Sequence, residues 1–152
     1  MKNSFLIQGY ASVFNIQDCT GEIIAPSAFA PLQPRSVKLL WQHNHEHPIG
    51  VVEELRQDNH GLFVRARINC EVEKGREAAS LVKQGAIKGL SVGFNAIKHH
   101  YDAHGKRVIT KAKLWEISVV TFPANPSAQI LDDTLTTKLS NLYWQIKKIR
   151  QL

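Results

Sequence analysis

The sequence predicts a mainly β fold with helices, arranged as an antiparallel β-barrel. Several short apolar segments rich in β-branched and aromatic residues are separated by turn residues, and two of them flank a hairpin turn at 58–61. The strand-like segments follow one another with one inserted helical stretch, which favours a barrel over a βαβ sheet. On length alone, a chain of 152 residues is a single domain.

Six stretches are predicted to form strands because they combine apolar runs with flanking turn residues. These stretches are 4–14, 37–41, 49–56, 62–69, 89–97 and 108–122, the last of which is either one long strand or a bent pair of strands. Apolar and polar residues alternate along 62–69, as expected of a strand with two different faces. Gly9 inside the first stretch predicts a bulge or a close approach of another backbone segment.

The stretch 73–84 is predicted to be a helix that ends at Gly85 as its C-cap. Its apolar residues at helical spacing are Ala78, Leu81 and Val82. A single helical turn is predicted at 27–30, ended by Pro31 and Pro34.

The last stretch, 131–152, is predicted to be an amphipathic helix that follows a barrel domain at 1–130. Its apolar residues step by four and three positions, as in a heptad seam: Leu135, Leu139, Leu142, Ile146 and Ile149. Two interpretations stay open, in which the helix packs on its own barrel or forms a dimer interface.

Composition excludes several classes of protein. With 43% hydrophobic and 21% charged residues the chain is not disordered, and it has no apolar run of about 20 residues that could cross a bilayer. The net charge of +6 is scattered and does not alternate with aromatic residues, so no specific nucleic-acid site is expected. Cys19 and Cys70 are too few for a disulfide framework and are predicted to be reduced thiols in a cytosolic protein.

Three segments combine an apolar strand with a reactive polar residue. A hydrolytic serine needs a base to take its proton, and the base needs a partner that fixes its tautomer. Ser91, His43 and Glu116 could supply these three roles. Two alternatives stay open: Ser91 as an ordinary strand residue between bulge glycines, and Glu116 as an exposed glutamate on an edge strand. Gly89 and Gly93 could let a substrate backbone approach Ser91, or let a peptide N–H point at an oxyanion.

Other interpretations of the polar residues remain. Ser118 is a reserve nucleophile, although packing or hydrogen bonding would also explain it. His43, His45 and His47 alternate and suggest a metal site, but residues 44–48 resemble a loop and standard zinc spacing is lacking. No functional metal is therefore expected.

The segments, in their order, resemble the prohead maturation proteases of tailed phages, which are distantly related to herpesvirus assemblin. The segments that carry this resemblance are Gly9-Tyr-Ala-Ser-Val-Phe14 with Pro26-Ser-Ala-Phe29, Leu40-Trp-Gln-His43, Gly61-Leu62, Gly89-Leu-Ser-Val-Gly-Phe94 and Trp115-Glu-Ile-Ser-Val-Val-Thr-Phe-Pro-Ala-Asn125. Ser27 departs from the family, which usually has glycine there. Each segment alone is weak evidence for the family, whereas five segments in the same order across more than a hundred residues are strong evidence.

The resemblance implies a β-barrel serine endopeptidase with Ser91 as nucleophile, His43 as general base and Glu116 as the third member. Because related assemblins use a second histidine as the third member, His45 or His47 is the alternative. It implies no cofactor, and it implies that the enzyme acts inside the immature capsid in the bacterial cytoplasm. The implied substrates are the major capsid protein, the scaffold and the protease itself, and a homodimer is compatible with the family. A catalytically silent assembly partner is the alternative function.

Overall fold

A computed structural model describes residues 3–132 and Ile149. The elements in chain order are β1 (Ser4–Val13), β2 (Glu22–Ile24), a 3₁₀ turn (Pro34–Ser36), β3 (Lys38–Trp41), β4 (Asn44–Gln57), β5 (Gly61–Asn69), α1 (Glu73–Gln84), β6 (Gly89–Tyr101) and β7 (Arg107–Val120). The predicted helix at 131–152 lies almost entirely outside the described residues. The mainly β class with one inserted helix is thus confirmed for the part that is described.

The strands form one curled sheet in the order β1-β5-β4-β3-β7-β2, with β6 on the other edge of β7. Most neighbours are antiparallel, but β2 and β3 both run parallel to β7. The expectation of a purely antiparallel sheet was therefore wrong. Between β3 and β7 the chain makes three hairpins, β3–β4, β4–β5 and β6–β7, and one helical connection, so β7 returns beside β3 in the same direction.

A short segment at 128–131 connects the two sides of the curled sheet. The Leu90 N–H donates to the Ala128 carbonyl over 3.0 Å, and the Leu131 N–H donates to the Gln8 carbonyl over 2.8 Å. A Cβ atom on Gly9 would lie 2.2 Å from the Gln129 carbonyl oxygen, so glycine is required for this contact. The close approach predicted at Gly9 is confirmed, and the segment fixes β6 in its place beside β1.

The core fills the inside of the curled sheet. Along β5 the residues Leu62, Val64, Ala66 and Ile68 are fully buried, in agreement with the predicted alternation. Helix α1 covers one end through Ala78 and Ala79. It ends, as predicted, at Gly85 in the left-handed conformation with φ of 81°. The core therefore provides a rigid support for strands β6 and β7.

Other local predictions differ from the structure. Residues 27–30 form hydrogen-bonded turns and no helix, and the 3₁₀ turn begins at Pro34, which was expected to end a helix. The predicted loop at 44–48 is wrong, because β4 begins at Asn44 and pairs there with β3. No helix within residues 3–132 is long and apolar enough to span a membrane. Both cysteines are free thiols, with Cys19 exposed and Cys70 buried.

Candidate active site

The pairing of β6 with β7 places the candidate residues opposite one another. Ser91 lies opposite Ser118, and Gly93 lies opposite Glu116. Opposite residues of an antiparallel pair project to the same face, and residues two apart along a strand share that face. Since Ile117 on β7 is buried in the core, these four residues occupy the face of the sheet that points away from it.

His43 reaches this face from the tight turn between β3 and β4. Trp41 pairs with Asn44, so Gln42 and His43 alone form the loop, and both have positive φ, 53° and 57°. Such two-residue hairpin loops usually contain glycine or asparagine, because positive φ is unfavourable for other side chains. Two such residues in succession indicate that surrounding contacts hold the turn in place.

Contacts with the end of β7 hold the turn. The Gln42 amide Nε2 donates to Thr121 Oγ1 over 2.7 Å, and the Thr121 N–H donates back to Gln42 Oε1 over 3.1 Å. The Gln42 N–H also donates to the Val119 carbonyl over 3.0 Å. These three bonds fix the residue immediately before His43. Gln42 and Thr121 were not predicted as site residues, because the short spacing between two strand segments is the only signal for them in the sequence.

The imidazole of His43 bonds directly to the carboxylate of Glu116. The bond joins Nδ1 of His43 to Oε1 of Glu116, and a carboxylate can only accept, so Nδ1 carries the proton. The neutral ring then leaves Nε2 as a proton acceptor. This hydrogen bond raises the pKa of His43 above its ordinary value of 6.5, while partial burial acts in the opposite direction and the carboxylate charge adds to the rise.

Ser118 completes the contacts of the carboxylate. Its Oγ donates to Glu116 Oε2 over 2.7 Å and accepts from the His43 backbone N–H over 3.1 Å. The residue has no exposed surface. Each oxygen of the buried Glu116 carboxylate thus has its own donor, which compensates for the cost of burying the charge.

Ser91 is nearly buried, with 4% of its surface exposed, and lines a cavity of about 30 Å³ together with Ser12 and Asn125. Among the described residues, none forms a hydrogen bond with its hydroxyl. The structure therefore brings His43 and Glu116 into contact and sets Ser91 on the neighbouring strand, without a bond between Ser91 and His43.

Gly89 and Gly93, the two glycines that flank Ser91, are each packed closely against residues of β7. A Cβ on Gly89 would lie 2.6 Å from the Val120 carbonyl oxygen, and one on Gly93 would lie 2.4 Å from Glu116 Oε1. The space above Gly93 is thus filled by the carboxylate that holds His43. A requirement for close packing explains both glycines, and an oxyanion role for this neighbourhood remains a prediction.

Replacing Gly93 by alanine is expected to displace the Glu116 carboxylate and weaken its bond to His43. The new methyl group would overlap Oε1, which must move by a few tenths of an ångström or more. We expect the pKa of His43, measured by NMR titration, to fall toward 6.5. The control is Asn95→Ala, an exposed position on the same strand. An unchanged His43 titration in Gly93→Ala would contradict the packing role.

The other candidate histidines do not join this site. His45 is exposed and His47 half-buried on β4, and neither hydrogen-bonds with Glu116. The three histidines do not share one face, because His43 lies in the turn and not in the strand. Within residues 3–132, no group of three or more His, Cys, Asp or Glu side chains is arranged to hold a metal ion.

Comparison with known proteins gives consistent matches. The sequence profile of the caudovirus prohead serine proteases matches residues 1–142. The prohead protease of Enterobacteria phage HK97 is 37% identical over 131 residues, and that of Escherichia phage T5 is 31% identical over 127 residues. These alignments cover 82% and 78% of this chain. The chain spans 58% of the length of each relative.

Solved structures show a similar fold. The bacteriophage T4 capsid assembly protease superposes with a TM-score of 0.58 at 14% identity, over 76% of this chain and 80% of that one. The protease of the herpesvirus KSHV, solved with a hexapeptide phosphonate inhibitor, gives a TM-score of 0.53 at 12% identity, over 85% and 64% of the two chains. Since the family profile covers nearly the whole sequence, this chain belongs to the caudovirus prohead serine protease family.

Proposed function

We propose that this chain is a serine endopeptidase that processes the major capsid protein, the scaffold or both during prohead maturation. The observation that carries the proposal is the bond between His43 Nδ1 and Glu116 Oε1, formed beside Ser91 on the adjacent strand. A histidine held in one tautomer by a buried carboxylate, next to a serine, is the arrangement that activates a serine nucleophile.

The proposed reaction is acyl transfer through the chain's own side chains. His43 Nε2 accepts the proton of Ser91 Oγ as the oxygen attacks the carbonyl carbon of the scissile peptide bond. The imidazolium is stabilised by Glu116 and returns the proton to the leaving amine when the C–N bond breaks. Water then hydrolyses the acyl-enzyme with His43 as base again. Backbone N–H groups near Ser91 are the proposed oxyanion donors, and no cofactor takes part.

Capsid proteins are the proposed substrates because the names of the relatives refer to the prohead and the capsid. Two of them are prohead proteases, and a capsid polyprotein of Pseudomonas phage PAJU2 is 35% identical over 102 residues. We propose the same setting for this chain, namely the immature capsid in the bacterial cytoplasm, with self-cleavage and a homodimer as further proposals. The intact contact between His43 and Glu116 gives no support to a catalytically silent assembly partner.

The test is co-expression of this chain with a candidate major capsid protein from the same source. Intact-mass spectrometry should show a truncated capsid protein, and the lost mass gives the cut site. Treatment of the purified chain with a fluorophosphonate, followed by peptide mapping, should place the adduct on Ser91. An adduct on Ser118 would overturn the assignment of the nucleophile. Assembled particles without any cleavage would favour the assembly-partner function.

The pH dependence of the reaction should follow His43. The base works only when neutral, and Glu116 raises the pKa of His43 above 6.5. We therefore expect the rate of Ser91 modification by fluorophosphonate to rise with pH along a limb centred above 6.5. In Glu116→Gln the limb should move to lower pH, because the carboxylate no longer stabilises the imidazolium. A limb below 6.5 in the wild-type chain would contradict the role of the His43–Glu116 bond.

A further inference from the structure

We propose that Ser118 is a positioning residue that holds the Glu116 carboxylate and the backbone of His43 in fixed positions relative to each other. The inference rests on the proposed function and deepens it, because it assigns a role to a fourth side chain of the same site. It concerns a residue that touches neither the scissile bond nor Nε2 of the base.

The hydroxyl of Ser118 connects the two parts of the site. Its proton goes to Glu116 Oε2 over 2.7 Å, and its oxygen receives the His43 N–H over 3.1 Å. The other oxygen of Glu116 meets the His43 ring. The side chain of His43 is thus bound to Glu116 and its backbone to Ser118, and the carboxylate cannot rotate without losing the Ser118 bond.

The burial of Ser118 makes its two hydrogen bonds difficult to replace. Ser118 is fully buried, so water does not replace either bond when the hydroxyl is removed. The single proton of the hydroxyl is already donated to Glu116, which makes Ser118 unsuitable as the nucleophile that the sequence left open. A hydroxyl with both bonds satisfied and no access to solvent can position its neighbours but does not meet a substrate.

The conformation of His43 explains why an anchor is needed. With φ of 57° the residue lies in the left-handed region, which is unfavourable for a side chain with a Cβ. Gln42 is held on one side by Thr121, and Ser118 binds His43 itself. Loss of the Ser118 hydroxyl removes the hydrogen bond to the His43 backbone, while the bonds of Gln42 and of the histidine ring remain.

Ser118→Ala is the direct test. We expect kcat on a peptide spanning the mapped cut site to fall about 100-fold with KM unchanged, the size of effect that a misplacement of about 1 Å produces. The carboxylate should spend less time on the imidazole, so the pKa of His43 should fall toward 6.5 in an NMR titration. Ser118→Thr retains the hydroxyl and should restore both the pKa and most of the rate.

Val119→Ala is the matched structural control. Val119 is the next residue of β7 and points into the core, so its truncation should lower the melting temperature and leave the His43 titration unchanged. A Ser118→Ala chain that titrates like the wild type, or whose His43 pKa rises, would overturn the proposal. The titration needs no turnover, so it decides the role of Ser118 even where the wild-type chain fails to cleave, an outcome that would count against the proposed function alone.

A double-mutant cycle gives a second, independent readout. If Ser118 acts through Glu116 as well as through the His43 backbone, then Ser118→Ala should cause a smaller loss of rate in a Glu116→Gln background than in the wild-type chain. An equal loss in both backgrounds would show that Ser118 acts independently of the carboxylate and would contradict the proposal.

Discussion

Ser91→Ala is expected to abolish processing of the capsid protein and to leave the fold intact. The hydroxyl is the proposed attacking group, and its removal in a Ser-His-Asp protease lowers kcat by about 10⁶-fold. None of the described residues hydrogen-bonds with this hydroxyl, so its loss leaves no unpaired partner in the site. We therefore expect the melting temperature to stay within a few degrees of the wild-type value.

Two measurements on Ser91→Ala separate chemistry from folding. Intact-mass spectrometry after co-expression reports cleavage, and thermal unfolding reports stability. Ser80→Ala, an exposed position in helix α1, is the control for the same chemical change away from the site. Continued cleavage by Ser91→Ala would show that Ser91 is not the nucleophile. If Ser91→Ala does not fold, the fluorophosphonate mapping on the wild-type chain identifies the nucleophile instead.

Glu116→Gln is expected to lower the rate by about 10⁴-fold, the effect of the corresponding change in a Ser-His-Asp protease. The hydrogen bonds of this site give the reason. The Ser118 hydroxyl already accepts the His43 N–H and needs an acceptor for its own proton. The amide of glutamine would therefore turn its oxygen to Ser118 and its NH₂ group to the ring. That arrangement favours the tautomer with its proton on Nε2, so only a small fraction of His43 can act as the base.

The tautomer can be measured directly. In the wild-type chain, ¹⁵N shifts of His43 should show the proton on Nδ1 at a pH above the histidine pKa, and in Glu116→Gln they should show it on Nε2. His47→Gln on β4 is a suitable control, because His47 does not contact the carboxylate. Wild-type rates in Glu116→Gln would show that Glu116 is not the third member of the triad. His45 and His47 would then be the next residues to test.

Local patterns predicted most of the strands and the helix, because burial of one face imposes a period on the sequence. The alternation along 62–69 and the helical spacing along 73–84 are both present in the structure. Boundaries were less predictable: β4 begins at Asn44, since its first residues are stabilised by pairing with β3 and not by burial of their own side chains. Parallel pairing of β3 with β7 joins residues more than 70 positions apart, and no local pattern indicates it.

The candidate site divides in the same way. The sequence by itself determined the family resemblance, the residue types and the two strands on which Ser91 and Glu116 lie. Only the tertiary structure decided that His43, and neither His45 nor His47, meets Glu116. It also decided that Gly93 makes room for the carboxylate and that Ser118 binds both partners. The physical reason is that these contacts depend on strand register and on a turn with positive φ, which arise when three distant segments pack together.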